Sequence, residues 1–204
     1  MTKEQAILEA AEQEFLDNGF EAAKTTRICK LAGVTHAMLH YYYRTKENLF
    51  EKIFEKKINL LKDSLFVFMD KSDMPFLEKV QRSIELHFDF LRANANLPRF
   101  VINELIFKPK RLDLFKEKIH IIGTNVLSRI SQEIEREVKQ GTINPIESVD
   151  LLLNIASVNV FVFATMPLLR AFAVEVYGNE NAFFEARKRE NVEIILRRLK
   201  RIDN

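Results

Sequence analysis

The sequence has 204 residues, 47% of them hydrophobic, which suits one helical unit or a small domain joined to a larger one. Its net charge of +2 excludes a uniformly basic protein, and its single cysteine, Cys29, excludes an internal disulfide framework. Only five Gly and five Pro leave few positions for turns, which favours long helices over many short strands.

The lone cysteine and the charged N-terminus both bear on where the protein works. A free cysteine fits a reducing cytoplasm, and Cys29 is expected to be a small buried residue. Charged residues interrupt the first 24 positions, so no signal peptide is expected. We therefore expect a cytoplasmic protein.

The first predicted element is an amphipathic helix over residues 3–18. Its apolar positions recur at helical spacing: Ile7, Ala10, Ala11 and Phe15. Thr2 and Gln5 have the spacing of a capping box, and Gly19 is a helix stop. Phe20 is then expected to pack into the core of a three-helix head.

A helix-turn-helix is predicted next, within residues 25–50. Ile28, at an apolar position, belongs to a short segment that runs into Gly33, and glycine just past a helix can take the left-handed conformation. Thr35 is a good N-cap for a second short helix. We predict that this second helix, residues 35–43, enters the major groove of DNA.

Charge is distributed in agreement with that prediction. Residues 22–47 contain five lysines and arginines against one glutamate, a net charge of +4, whereas residues 1–21 carry a net charge of −5. Because positive charge is concentrated on the predicted DNA-binding segment, affinity for DNA should fall steeply with salt.

This stretch resembles the TetR family of bacterial repressors. The residues that carry the resemblance, in order, are Ile7, Ala10, Ala11, Phe15, Gly19-Phe20, Ile28, Ala32-Gly33-Val34-Thr35, Leu39, Tyr42-Tyr43 and Lys46-Glu47-Asn48-Leu49-Phe50. The resemblance implies an all-α fold: a three-helix DNA-binding head, residues 1–46, and a larger helical bundle, residues 47–204, for ligand binding and dimerisation. It also implies double-stranded operator DNA as a partner.

The predicted DNA contacts are Thr25, Thr26, Arg27, Thr35, His36, Ala37, Met38, His40, Tyr41, Tyr42 and Lys46. His36 and His40 also have the spacing of paired metal ligands, but no third ligand lies nearby in the sequence, so DNA contact is preferred and no metal site is predicted. Lys46 begins the fourth helix, where its ammonium group would favour a phosphate; the alternative is a solvated surface lysine.

Further helices are predicted over residues 45–70, 75–93, 98–107, 111–140, 146–165, 167–176 and 180–202. One stretch, 151–169, has no charged residue and is long enough to span a bilayer. It contains Asn154, Asn159 and Pro167 and lacks a flanking basic cluster, so a helix buried on nearly all sides is preferred to a membrane span.

The larger part of the chain is predicted to hold an unknown small-molecule effector, as the resemblance implies. Candidate lining residues are Phe66, His87, Phe90, Phe107, Phe161 and Met166, each of which could instead be an ordinary core residue. Such a lining would suit a hydrophobic or flat aromatic effector. The helices at 146–165 and 180–202 would pair with their copies in a homodimer.

The sequence therefore predicts a homodimeric regulator that effector binding releases from its operator. No nucleophile–base pair, phosphate loop or metal set supports an enzyme, and no cofactor is predicted. A helical module that binds protein rather than DNA is the second alternative, against which the basic, tyrosine-rich segment 22–47 argues.

Overall fold

The computed structural model describes residues 2–65 and 74–201, and within these ranges helices are joined by short turns and loops, with no strand. This confirms the predicted all-α fold. Helices α1 to α10 span Lys3–Ala22, Thr25–Ala32, His36–Tyr43, Lys46–Leu65, Phe76–Ala93, Leu97–Val101, Pro109–Gln140, Ser148–Ala164, Met166–Phe172 and Glu180–Leu199. A π-helical segment, Ile102–Ile106, follows α6, and a 3-10 turn, Val174–Tyr177, precedes α10.

The predicted start and stop of α1 are both present. Thr2 Oγ1 accepts a hydrogen bond from the Gln5 backbone at 3.2 Å, and Gln5 Oε1 accepts one from the Thr2 backbone at 2.9 Å, which completes the capping box. Gly19 has φ 72° and ψ 169°, so it breaks the helix at the predicted place. A final turn follows it and carries Phe20 into the core.

The chain divides into two compact units. The first, here called the head unit, comprises Met1–Leu61 and Arg99–Leu114; the second, the distal unit, comprises Lys62–Pro98 and Phe115–Asn204. The chain therefore leaves the head unit within α4, returns to it for the π-helical segment, and leaves it again within α7. Sequence patterns gave no indication of this return.

Aromatic rings form the centre of the head unit. The ring centroids of Phe15, Phe20 and Phe50 lie 5.0–5.8 Å apart, so α1 and α4 are held together by mutual ring contacts. Phe100 of α6 adds a fourth ring, 5.4 Å from that of Phe50. Each such pair contributes about 0.5–1.5 kcal/mol beyond the area it buries.

The distal unit has two buried clusters. One is mainly aliphatic: Phe76, Val80, Ile84, Val126, Ile130, Ile134, Ile143, Leu151, Ile155, Ile195 and Leu199. The other is largely aromatic: Phe88, Leu91, Val162, Phe163, Met166, Phe183 and Phe184. Helices α5, α8 and α10 contribute to both clusters.

Helix α8 differs from the prediction. It was expected to be buried on nearly all sides, but Val149, Leu153 and Phe161 are exposed along one face of it. Among the described residues, no single helix has the length and hydropathy of a membrane span; α8 and α9 reach that composition only as a pair, and the break between them bends by 67°.

Candidate nucleic-acid interface

Helix α3 has the form that the sequence predicted for a recognition helix. It contains eight residues, about 12 Å of helix, and Thr35 caps its start by accepting a hydrogen bond from the Met38 backbone at 3.3 Å. Leu39 and Tyr43 are buried and anchor the helix. The opposite face is therefore fixed in place and open to solvent.

The exposed face of α3 carries most of the predicted contacts. Exposed side chains are those of His36, Ala37, His40, Tyr41 and Tyr42, whereas Met38 is half-buried. Tyr41, 81% exposed, lies edge-on to the ring of Tyr42 with 5.3 Å between centroids. Two hydroxyl groups and two imidazoles are thus presented together, which is the kind of donor set that contacts phosphates and base edges.

Tyr43 is buried, whereas its neighbours Tyr41 and Tyr42 are exposed. Its hydroxyl donates to the Glu4 carbonyl at 3.5 Å, so the side chain joins α3 to α1. Burial, reinforced by the negative charge of Glu4, raises the pKa of this phenol to about 12. Tyr43 is therefore a structural residue of the head.

The turn between α2 and α3 follows the predicted geometry. Gly33 has φ 62° and ψ 40°, the left-handed conformation, and the Val34 backbone donates to the Cys29 carbonyl at 3.0 Å. Cys29 is buried as expected, and burial raises the pKa of its thiol. Leu31, at an apolar position of α2, is exposed instead of packed inward.

Helix α2 begins with three more of the predicted contacts. Thr25 is half-buried, and Thr26 and Arg27 are exposed. Lys24, at the N-cap, makes no side-chain cap, but its backbone N–H donates to Glu14 Oε1 at 3.1 Å. Sequence reasoning missed Glu14, although it lies seven residues after Ile7 on the inner stripe of α1.

Lys46 has a different environment from the predicted one. Its ammonium group donates to the carbonyls of Phe20, Glu21 and Ala23 at 2.8, 3.4 and 3.2 Å, and it lies 4.5 Å from the centre of the Phe20 ring. A lysine has three N–H donors, so these carbonyls match all of them. The structure therefore places Lys46 at the end of α1 and not as an open phosphate ligand.

A cleft of about 360 Å³ lies in the head unit beside the end of α3. Side chains of mixed charge line it: Glu4, Leu8, Tyr42, Tyr43, Arg44, Asn48, Glu51, Lys52 and Glu55. None of the five predicted ligand residues that the structure describes is among them. Within residues 2–65 and 74–201, no cluster of three or more His, Cys, Asp or Glu side chains could hold a metal ion.

The predicted effector residues are not brought together as a group. His87 and Met166 are buried in the distal unit, and Phe90 packs partly buried against the aromatic cluster. Phe107 and Phe161 are 71% and 65% exposed, so the structure places both on the surface. Phe66 lies outside the described residues.

His87 belongs to a buried polar chain in the distal unit. Asn159 Nδ2 donates to the Ile84 carbonyl at 3.0 Å and lies 3.2 Å from His87 Nδ1. Asn191 Nδ2 donates to Asn159 Oδ1 at 2.9 Å. An amide nitrogen only donates, so the neutral imidazole must accept at Nδ1 and carry its proton on Nε2.

Comparisons with known proteins agree with this geometry. The sequence profile of "Bacterial regulatory proteins, tetR family" matches residues 7–53, which contain α2 and α3. An uncharacterized HTH-type transcriptional regulator of Bacillus subtilis, YhgD, is 28% identical over 70% of this chain and 73% of its own. The fatty acid metabolism regulator protein of the same organism is 24% identical over 72% and 73%.

The fold of the whole chain is also found among solved structures. The fatty acid degradation regulator FadR of Bacillus halodurans superimposes with a TM-score of 0.65, covering 96% of this chain and 95% of its own, at 18% identity. At that identity the likeness concerns the fold alone.

Proposed function

We propose that this chain, a DNA-binding transcriptional regulator of the TetR family, acts as a homodimeric repressor. A small hydrophobic or aromatic effector would release it from its operator. Two copies of α3 would lie in successive major grooves, because one short recognition helix reads too few bases alone. Effector binding would move α4 and so change the spacing of the two helices.

The observation that supports DNA binding most directly is the two-sided character of α3. Leu39 and Tyr43 hold it to the head, while His36, His40 and Tyr41 project into solvent. A surface helix that only packed within the protein would not need this fixed, donor-rich outer face. The helical interaction module without DNA binding is the remaining alternative.

An exposed apolar face supports the proposed homodimer. Leu153 and Phe161 of α8 and Ile194 of α10 are exposed, although an isolated chain would gain by burying them. We propose that the same face of a second copy covers them, in a two-fold interface to which both copies contribute the same surface. Phe161 would then be an interface residue and not a pocket residue.

The class of effector is proposed from composition and from relatives. His87, Phe90 and Met166 lie in or against an aromatic core, which suits an apolar ligand. One relative, at 24% identity, is a fatty acid metabolism regulator by name. Fatty acids and their derivatives are therefore the first compounds to test.

The test is a titration of the purified protein with duplex DNA that flanks its own coding region, against a scrambled duplex at the same salt. We expect preferential binding that weakens when a fatty acid or derivative is added; affinity indifferent to every ligand that binds would contradict the release mechanism. Tyr41→Ala should weaken DNA binding and leave dimerisation intact. If Tyr41→Ala has no effect and the flanking DNA is not preferred, the interaction module is favoured.

The dimer is tested separately. Phe161→Arg places a charge in the proposed interface, and we expect sedimentation velocity to show a monomer with lost operator affinity. Glu193→Arg, on the exposed surface of α10, is the matched control. A Phe161→Arg protein that remains dimeric would refute this interface.

A further inference from the structure

A buried carboxylate lies directly behind one of the predicted DNA contacts. Glu14 is on α1, and its side chain is only 2% exposed. Oε1 accepts the hydrogen bond from the Lys24 backbone, and Oε2 lies 3.1 Å from Nε of Arg27. The Arg27 contact is an ion pair and not an aligned hydrogen bond, because Oε2 accepts none from the described residues.

The position of Glu14 explains why a charge is tolerated there. It lies beside the start of α2, where the helix dipole favours negative charge. Lys24, the N-cap residue, makes no side-chain cap, and the Glu14 carboxylate instead accepts from the backbone N–H of Lys24 itself. A buried carboxylate also requires a cationic partner, and Arg27 supplies it.

Arg27 is the exposed member of this pair. Its side chain is 59% exposed, and Nε is its nearest nitrogen to the carboxylate. A guanidinium group has five donors in a rigid planar fork, so its two terminal nitrogens are left without an acceptor among the residues described. In a helix-turn-helix the first helix crosses the DNA backbone, which brings a phosphate to the start of α2.

We propose that Glu14 is a positioning residue, which holds the Arg27 guanidinium so that its terminal nitrogens make a bidentate contact with a DNA phosphate. This role rests on the proposed DNA-binding function. The proposal also predicts the direction in which DNA affinity changes when Glu14 is neutralised. The negative charge of Glu14 by itself repels DNA, so its removal weakens binding only if the orientation of Arg27 matters more than that repulsion.

A double-mutant cycle on the full-length protein tests the role. Affinity for the flanking duplex is measured by fluorescence anisotropy over a series of salt concentrations for wild type, Glu14→Gln, Arg27→Gln and the double variant. Arg27→Gln should lower the affinity about 5- to 10-fold per subunit and reduce the salt slope by about 1 per subunit. Glu14→Gln should lower affinity about 3-fold in the wild-type background and not in the Arg27→Gln background.

Two controls separate positioning from other effects. Lys30→Gln removes an exposed charge of α2 that has no buried carboxylate behind it, and Glu14→Gln should still weaken binding in that background. Arg27→Lys keeps the positive charge but replaces the planar guanidinium, so the side chain can no longer contact Glu14 and a phosphate at the same time. Affinity for DNA should therefore fall while the salt slope stays the same. This exposed substitution also guards against misfolding of Glu14→Gln.

The outcomes are distinct. Tighter binding by Glu14→Gln, or the same loss in both Arg27 backgrounds, would overturn the positioning role and leave the proposed function standing. Arg27→Lys with full affinity would overturn it as well. Failure of the wild-type protein to bind any duplex at low salt would instead overturn the proposed function itself.

Discussion

The backbone N–H of Phe20 donates a hydrogen bond to Glu104 Oε1 at 3.2 Å, across 84 residues of sequence. Gly19 interrupts the helical ladder just before this N–H, and a Cβ on Gly19 would lie 2.9 Å from the same carboxylate oxygen. The carbonyl of Phe20 in turn accepts from Lys46 at 2.8 Å. The backbone of one residue, Phe20, therefore joins α1 to α4 and to the π-helical segment within the head unit.

Glu104→Ala should destabilise the protein. The side chain is buried, and its loss leaves the Phe20 N–H without its carboxylate acceptor, a cost of about 1–3 kcal/mol in the free energy of unfolding. Urea denaturation measures that loss, and hydrogen exchange at the Phe20 amide should accelerate.

Glu104→Gln is the matched control, because its amide oxygen can still accept from Phe20. It should retain more of the stability than Glu104→Ala and protect the Phe20 amide. Equal destabilisation by the two substitutions, with the amide still protected in both, would show that this hydrogen bond is not what Glu104 contributes.

A substitution of Lys46 can distinguish a structural role from a phosphate contact. If its ammonium stays on the three carbonyls of α1, Lys46→Met should lower the free energy of unfolding by about 1–3 kcal/mol and leave the salt slope of DNA binding unchanged. If it contacts a phosphate, as the sequence suggested, the slope should fall by about 1 per subunit. We expect the first result, with Lys30→Met as a surface control.

Local signals in the sequence were sufficient for the DNA-reading part of the fold. The capping residues Thr2 and Thr35, the left-handed Gly33 and the apolar spacing of α1 all act within a few residues of one another, and each is observed as predicted. Contacts between distant residues could not be predicted in this way. Nothing in the segment around Glu104 indicates that its carboxylate meets Phe20.

Side-chain roles were harder to predict than helices for the same reason. The periodicity of apolar residues places Phe161 on a helix, but it does not distinguish a face in the core from a face on the surface. Phe161 was therefore predicted to line a pocket, and the structure places it on the surface. Lys46 has the charge that a phosphate contact needs, but its partners are three backbone carbonyls at the end of α1, far from it in sequence.

Arg44 holds the turn from α3 to α4 in an unfavourable backbone conformation. Its φ of 59° and ψ of −54°, with the Thr45 N–H donating to the Tyr43 carbonyl at 2.6 Å, correspond to the strained form of γ-turn. Arg44→Gly and Arg44→Ala both remove the charge, but only glycine relieves the strain. The glycine variant should be more stable than the alanine variant by about 1 kcal/mol in urea denaturation. An alanine variant of equal or higher stability would show that the turn is unstrained.

His87 should make stability depend on pH below neutrality. Burial lowers its pKa to about 4, so between pH 6.5 and about 4 the unfolded chain binds a proton that the folded protein does not. Stability therefore falls as the pH drops through this window, by as much as about 3 kcal/mol at its lower end. His87→Gln keeps a neutral acceptor for the Asn159 amide and cannot be protonated, so its free energy of unfolding should fall less. Urea denaturation at about pH 7, 5.5 and 4.5 compares the two proteins; parallel pH profiles would mean that other groups cause the acid sensitivity.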